Sequence, residues 1–357
     1  MKENRRITNF ETVSVGKRNG QNNEGMYVGE NFVAVIDGVS NSSKIDINGK
    51  HIEIADIITE AIKKIDRPEA PRYAKTLKFD DFVQYINLYI RKYCEKINYP
   101  LAEKPLEATG AIYSKYYNQI WLVGDCRAIC DGKIIQNELK IDEVFTKLRI
   151  ELTNLLLQQG YTEEELIGGS EKERAILKKP ELVFEYIKDK EKATQFIQYM
   201  KNTMYETLLE CGFSKEDIAK QNLLEKYYTP TELQKYLKNN PNTKGGYGYS
   251  VFNGTYTEIK NCKCENLSGN VKQIKLSSDG IAIDTLNKSK DLGQVIRTIR
   301  RQAESDKLSI GENRTLKSAF KQSIRFPYYS IDDATSVSFR IQRKTLEEMS
   351  VDERDYI

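Results

Sequence analysis

A chain of 357 residues, of which 39% are hydrophobic, can bury a core large enough for one large domain or two. Its 55 basic and 52 acidic residues leave a formal charge of +3, and without a long block of one sign they argue against nucleic acid binding. Apolar runs fall far short of the ~20 residues of a membrane-spanning helix, and the N-terminus MKENRRITNF lacks the apolar core of a signal peptide. We therefore expect a cytoplasmic globular protein with no membrane or nucleic acid partner.

The reactive side chains narrow the chemistry further. Six cysteines occur without a CxxC pair, which predicts reduced thiols rather than a disulfide scaffold. Cys262 and Cys264 lack a second pair or a neighbouring histidine, so we interpret them as ordinary thiols rather than zinc ligands. His51 is the only histidine, so a histidine-based triad could be built around that residue alone.

Apolar patterning in the first third of the chain predicts strands that flank two helices. Apolar and β-branched residues indicate strands at 27–36, 111–117 and 119–129. Apolar residues at helical spacing predict amphipathic helices over 54–65 and 82–97, and Pro68 ends the first of them. Both helices are expected to cover a sheet.

The pattern changes to helix throughout at about residue 132 and returns to strands after residue 243. The segment NNPNTKGGYGYS ends the helical part. Further strands are predicted at 249–252, 271–276 and 334–340, with a helix carrying Leu292 and Ile299 before the last of them. A sheet begun before residue 130 is thus expected to be completed after residue 245, which makes the helical part an insertion.

Two of the apolar strands end in an Asp-Gly pair. FVAVIDG places Asp37 at a strand tip, and IKLSSDG places Asp279 in the same position. Asp332 and Asp333 come directly before a strand, and in an antiparallel sheet the start of one strand lies beside the end of its neighbour. Crowded carboxylates repel unless a cation neutralises them, and oxygen ligands favour magnesium or manganese. The alternative is that the Asp-Gly pairs only mark turns at strand ends.

The order of these motifs resembles that of the metal-dependent protein phosphatases of the 2C type, in their bacterial form. The motifs are Glu24, IDG at 36–38, ATGA at 108–111, VGDCRA at 123–128, SDG at 278–280 and DDAT at 332–335. The resemblance implies an α+β fold, a four-layer αββα sandwich of two mostly antiparallel sheets flanked by helices. Residues 1–131 and 244–357 would form this catalytic domain, and 132–243 would be an all-helical insertion in place of the family's small flap.

The resemblance also implies a centre of two Mn²⁺ or Mg²⁺ ions, with a third in some members. Its metal ligands would be Glu24, Asp37, Gly38, Asp125, Asp279 and Asp332. Asp37 would bridge the two principal ions, and Asp125 would help to hold the third. The residues carried over as catalytic are Asp37, Asp279, Asp332 and the phosphate-binding candidate Arg18. Thr109 and Gly110 match a structural strand motif rather than ligands.

The implied activity is hydrolysis of phosphoserine and phosphothreonine by a water that two metal ions activate. A phosphoprotein would be the substrate, and a cognate serine/threonine kinase a partner. Three positions depart from the family pattern: Gly25 replaces an aspartate, Arg18 stands six residues before Glu24 instead of four, and Val39 replaces a histidine found in some members. A catalytically weak or inactive phosphatase-like module that binds phosphoproteins, or a hydrolase of small phosphoesters, remains an alternative.

Overall fold

The computed structural model describes residues 5–15, 23–39, 44–47, 50–137, 139–162, 166, 171–280 and 334–343. Arg18, Asp332 and the helix predicted around Leu292 lie outside these residues. Contacts within the described chain define two compact units, one formed by 5–137, 250–280 and 334–343, and the other by 139–249. We call them the sheet unit and the helical unit.

The sheet unit is built from two five-stranded sheets and a short hairpin. The strands are β1 (Arg5–Val15), β2 (Glu24–Val28), β3 (Phe32–Gly38), β4 (Lys44–Ile47), β5 (Lys50–Glu53), β6 (Ala108–Ser114), β7 (Gln119–Val123), β8 (Arg127–Cys130), β9 (Lys133–Gln136), β10 (Lys263–Asn266), β11 (Gln273–Ser277) and β12 (Ala334–Arg343). The first sheet has the order β1-β12-β11-β8-β9, and the second has the order β10-β7-β6-β3-β2. Every strand pair in them is antiparallel.

One apolar core lies between the two sheets. Val33 and Val35 of β3 and Tyr113 of β6 contribute to it from the second sheet, and Leu276 and Phe339 contribute from the first. The rings of Tyr113 and Phe339 are 5.3 Å apart, which brings the two sheets face to face. The alternate residues of β3, whose side chains point the other way, belong to a different core.

This second core lies between the second sheet and two helices. The helices of the sheet unit are α1 (Ile54–Asp66), α2 (Arg72–Lys75) and α3 (Phe79–Lys96), with a 3₁₀ turn at Ile259–Asn261. Phe32 and Trp121 of the sheet pack against Phe82 of α3, with ring centroids 5.6 and 5.1 Å from that of Phe82. The predicted α+β fold of two antiparallel sheets with flanking helices is therefore confirmed.

The helical unit has a core of its own, formed by residues between 141 and 247. Its helices are α4 (Lys140–Gln158), α5 (Glu171–Lys178), α6 (Val183–Tyr186), α7 (Lys190–Glu210), α8 (Lys215–Lys220), α9 (Leu223–Lys226) and α10 (Pro230–Leu237), with a 3₁₀ turn at Pro180–Leu182. Leu152 of α4 and Met204 of α7 are fully buried in this core. Across the described residues of both units, every helix is too short or too polar to span a bilayer.

Three predicted strands differ from the structure. The stretch 27–36 contains a turn at 29–31 between β2 and β3, because the Gly29 amide donates to the Phe32 carbonyl and closes the chain on itself. The stretch 119–129 is also interrupted, since β7 belongs to the second sheet and β8 to the first. The predicted strand at 249–252 forms only isolated bridges, at Tyr249 and at Phe252.

The helical part begins after one more strand. β9 pairs with β8, so the first sheet extends past residue 132 as far as Gln136. β11 and β12, which follow the helices in the chain, complete this sheet. Whether the helices stand in place of a flap stays a prediction.

Candidate metal centre

A row of polar residues crosses one end of the second sheet. Glu24 of β2 lies directly opposite Asp37 of β3, and Asp37 lies directly opposite Thr109 of β6. Residues opposite each other in an antiparallel pair project from the same face. Asp37 follows Val33 and Val35 at alternate positions, so this row lies on the face that meets the first sheet. The apolar core between the sheets thus gives way to carboxylates at its end.

The chain crosses from the second sheet to the first beside this row. Gly124 stands at the crossing with a φ of +79°, a backbone conformation that glycine adopts at little cost. A Cβ built on Gly124 would lie 2.3 Å from Cγ2 of Thr109, so no larger residue fits without displacement of Thr109. Asn137 Nδ2 donates to the Gly124 carbonyl at 2.7 Å and holds the crossing from the other side. Asp125 is the next residue in the chain after Gly124, and its side chain lies beside the polar row.

Asp125 is held there by a hydrogen bond. Thr109 Oγ1 donates to Asp125 Oδ1 at 2.9 Å, and Thr109 Oγ1 also lies 3.4 Å from Sγ of Cys126. Asp37, Asp125 and Cys126 can each offer one ligand atom such that all three atoms lie within 4.8 Å of one another. This is the cluster of possible metal ligands among the described residues.

Asp279 approaches the same cluster from the first sheet. It follows β11, whose last residue, Ser277, pairs with Arg127 just after Cys126. Burial raises the pKa of the Cys126 thiol well above its usual value; the charges of Asp37, Asp125 and Asp279 raise it further, and the hydrogen bond with Thr109 lowers it. Three of the predicted ligands therefore lie close enough to act on one buried thiol.

The start of β12 lies beside the end of β11. The Ser278 amide donates to the Thr335 carbonyl at 3.0 Å, and the Thr335 amide donates to Ser278 Oγ at 3.1 Å. This arrangement of strand ends is the one that the sequence predicted for Asp279 and Asp332. Asp332 itself lies outside the described residues, as does Arg18.

The donors fit a hard divalent cation. Glu24, Asp37, Asp125 and Asp279 are partly buried carboxylates at one end of the sandwich, and Gly38 adds a backbone carbonyl at the tip of β3. Oxygen donors of this kind suit Mg²⁺ or Mn²⁺. The protonated thiol of Cys126 is a poor ligand, because the thiolate is the form that binds metals.

Two members of the site were not predicted as such. The sequence predicts Thr109 in a structural motif and a strand over 119–129 that contains Cys126, whereas in the structure Thr109 contacts both Asp125 and Cys126. One sequence signal was available for Thr109. It precedes the inward-facing Ala111 by two residues, so the strand period places it on the face that carries Asp37.

Gly25 has a packing role in the structure. It lies opposite Ile36, on the face of the second sheet that meets the helices. A Cβ built there would be 3.1 Å from Cβ of Ala55, from the Ala55 carbonyl oxygen and from Cγ2 of Thr59. Helix α1 therefore approaches β2 closely at the position where the 2C-type pattern has an aspartate.

No protein-family model and no curated protein matches the chain. Similar solved structures include a bacterial serine phosphatase, with 13% identity, a TM-score of 0.35, and coverage of 94% of this chain and 99% of that chain. The catalytic domain of the serine threonine protein phosphatase PstP, in complex with two manganese ions, has 12% identity, a TM-score of 0.37, and coverage of 94% and 98%. Serine/threonine phosphatase Stp1 from Staphylococcus aureus has 14% identity, a TM-score of 0.37, and coverage of 96% and 98%.

These structures are phosphatases, the class of protein that the sequence motifs resemble. Their identities to this chain are below 25% and their TM-scores are below 0.5. We therefore rest the proposals that follow on the chain's own residues.

Proposed function

We propose that this protein is a metal-dependent phosphoprotein phosphatase of the 2C type, which hydrolyses phosphoserine and phosphothreonine. The observation that carries the proposal is the convergence of Asp37 and Asp125 within 4.8 Å at the end of a two-sheet sandwich. Glu24 is opposite Asp37 in the same sheet, and Asp279 approaches from the other sheet. Several carboxylates at one point are costly unless a cation neutralises them, so their convergence favours a metal centre.

In this proposal different carboxylates bind each of two Mn²⁺ or Mg²⁺ ions. Asp37 would be shared by both ions, the Gly38 carbonyl would complete one of them, Asp279 with Asp332 would bind the first, and Glu24 would bind the second. Asp125 contributes to a weaker third position. When bound, such ions supply a water of lowered pKa and neutralise the phosphoryl oxygens during in-line displacement. Arg18 is proposed to orient the phosphate.

Cys126 and His51 do not suit nucleophilic attack on a phosphate. Cys126 is fully buried and faces carboxylates, which disfavours a thiolate beside a phosphate dianion. His51 is in the exposed β4–β5 hairpin, where its Nδ1 pairs with Asp46. Without a histidine at the centre, the leaving-group oxygen is proposed to take its proton from water.

The packing around Gly25 supports an active enzyme over an inactive binding module. Gly25 and the displaced Arg18 are the two sequence features that favour an inactive relative. Because α1 leaves no room for a side chain at Gly25 without displacement, the departure has a reason that is independent of catalysis.

We further propose a reducing, cytoplasmic setting, which fits the six free cysteines, and a serine/threonine kinase as the opposing enzyme.

The test is phosphate release from a phosphothreonine peptide by the purified protein. Reactions with Mn²⁺, Mg²⁺, Ca²⁺ or EDTA are compared, and a phosphotyrosine peptide and p-nitrophenyl phosphate serve as alternative substrates. We expect hydrolysis of the phosphothreonine peptide with Mn²⁺ or Mg²⁺ and none with EDTA. Hydrolysis of the small ester alone would favour a small-molecule phosphoesterase. No hydrolysis with any metal would favour the inactive module.

A further inference from the structure

The hydroxyl of Thr109 lies between parts of the site that come from different sheets. Thr109 belongs to β6 of the second sheet, directly opposite Asp37. Its partners, Asp125 and Cys126, lie on the segment that leads into β8 of the first sheet. Thr109 is 2% exposed, so water has little access to these contacts. One side chain thus joins the strand that faces Asp37 to the segment that carries Asp125.

The hydrogen bond from this hydroxyl to Asp125 has a defined direction. A threonine hydroxyl has one proton to donate and lone pairs to accept with. Thr109 Oγ1 donates to Asp125 Oδ1 at 2.9 Å, and Sγ of Cys126 lies 3.4 Å from Oγ1 in a contact for which either atom can be the donor. The hydroxyl therefore points at the Asp125 carboxylate.

The rest of the Thr109 side chain is fixed by Gly124. Cγ2 and Cβ of Thr109 lie 2.3 and 2.6 Å from the position that a Cβ on Gly124 would take. The methyl group therefore occupies the space that this glycine leaves free. Rotation of χ1 would move the hydroxyl away from Asp125 and the methyl out of this space, so the side chain is held in one rotamer.

We propose that Thr109 is a positioning residue that holds Asp125 within 4.8 Å of Asp37, where Asp125 contributes to the weaker third cation beside the two principal ions. This inference rests on the proposed function. It assigns to the hydroxyl a role in metal affinity that goes beyond the strand packing predicted from the sequence. Partners that orient metal ligands in this way are generally worth roughly 10- to 100-fold in metal affinity.

The test is Mn²⁺ binding by isothermal titration calorimetry, followed in parallel by electron paramagnetic resonance of free Mn²⁺. Thr109→Val keeps the shape and the methyl group but loses the hydroxyl, whereas Thr109→Ser keeps the hydroxyl and loses the methyl. At the weakest Mn²⁺ site, we expect about 10-fold weaker binding for Thr109→Val and binding within about 3-fold of the parent for Thr109→Ser. A purely structural role predicts the reverse, because Val preserves the packing against Gly124 and Ser does not.

Two comparisons keep the outcome decisive. Asp37→Asn removes a proposed ligand outright, so parent-like binding by that variant would show that the metal centre, and with it the proposed function, is wrong. If Asp37→Asn loses binding while Thr109→Val binds like the parent, only the positioning role is overturned. Should Thr109→Val not fold by circular dichroism in EDTA, Thr109→Ala replaces it with the same expected loss. Failure of both to fold while Thr109→Ser folds would contradict the positioning role.

Discussion

Glu24 and Asp37 lie directly opposite each other across the β2–β3 pair, on the face that meets the other sheet. Cβ atoms at such opposite positions are typically about 4.5 to 5.5 Å apart, and like charges placed there destabilise a sheet. A cation shared by the two carboxylates would turn this arrangement into a favourable one. The pair is thus the part of the second sheet that most directly implies a bound metal.

We predict that Glu24→Gln weakens Mn²⁺ binding by about 10-fold or more, because a carboxamide removes one ligand charge while it preserves the shape. Thermal unfolding across a Mn²⁺ titration measures this, since a ligand of the folded state raises the melting temperature in proportion to the logarithm of its concentration over Kd. Glu30→Gln is the matched control, because Glu30 is exposed in the same β2–β3 hairpin and pairs with Lys115. Equal Mn²⁺-dependent shifts for the two variants would remove Glu24 from the centre.

Placing the aspartate of the 2C-type pattern at Gly25 is predicted to damage the protein. Its Cβ would be 3.1 Å from two atoms of Ala55 and one of Thr59, so α1 would have to shift away from β2. Overpacking of this kind costs about 1 to 3 kcal/mol in the free energy of unfolding, which urea denaturation measures. Gly25→Ala isolates the contribution of the Cβ. A Gly25→Asp variant of parent stability and higher activity would instead support the view that this chain lacks a catalytic part.

Asp66 gives a prediction about pH. Its carboxylate accepts hydrogen bonds from the Asn31 amide, from the Asn31 side chain and from the Tyr27 hydroxyl, and so holds the turn between β2 and β3. Burial raises the pKa of Asp66 above its ordinary value of 3.8, and these hydrogen bonds lower it only in part. The folded state therefore binds this proton more tightly than the unfolded state does. The stability that Asp66 contributes is fully present below pH 3.8 and declines as pH rises toward the folded-state pKa.

Asp66→Asn removes this titration and puts a side-chain NH₂, a hydrogen-bond donor, beside groups of Asn31 and Tyr27 that are themselves donors. We expect the variant to be less stable than the parent by about 1 to 3 kcal/mol at acidic pH, from the lost hydrogen bonds. The difference in the free energy of unfolding should shrink as the pH rises above 3.8, since only the parent must ionise a buried carboxyl. Urea denaturation of both proteins across this range is the measurement. A difference that grows with pH would mean that the hydrogen bonds outweigh burial.

We predict that the helical unit selects the protein substrate. Its core is formed by its own residues, so replacing 139–249 with a Gly/Ser linker leaves the cores of the sheet unit complete. Phe184 and Tyr199 are exposed on its helices and available to a protein partner. The shortened chain should hydrolyse p-nitrophenyl phosphate at near-parent rate. It should hydrolyse a phosphoprotein at least about 10-fold more slowly, because the loss of a few interface side chains commonly weakens binding by that much. Equal losses on both substrates in a folded variant would contradict this.

The positions of Asp37 and Asp279 after apolar strands could be predicted from the sequence because their signal is local. An apolar run that ends in Asp-Gly specifies a strand tip by itself, and Asp37 lies at such a tip in the structure. Both covering helices were also predictable, since their apolar spacing is intrinsic to the sequence. The arrangement in two sheets was predicted from the order of the motifs, because that order resembles the 2C-type phosphatases.

The crossing at Gly124 could not be predicted in the same way. The residues of β7 and of β8 are both apolar and read as one strand, yet β8 pairs with β11, more than 140 residues further along the chain. That pairing, rather than any local preference, decides that the chain changes sheets at Gly124. The partnership of Thr109 with Asp125 and Cys126 follows from this crossing and was missed for the same reason. The turn at 29–31 was missed because apolar residues flank it closely.

The most direct test of the central claim is phosphate release from a phosphothreonine peptide by Asp37→Asn and Asp279→Asn at saturating Mn²⁺. Each substitution removes a charge that would hold the metal ions and stabilise the transition state, so we expect rates at least about 100-fold below the parent. Circular dichroism should show both variants folded, because the two side chains are only partly buried at the end of the sandwich. Parent-like rates from either folded variant would contradict a catalytic metal centre at these carboxylates.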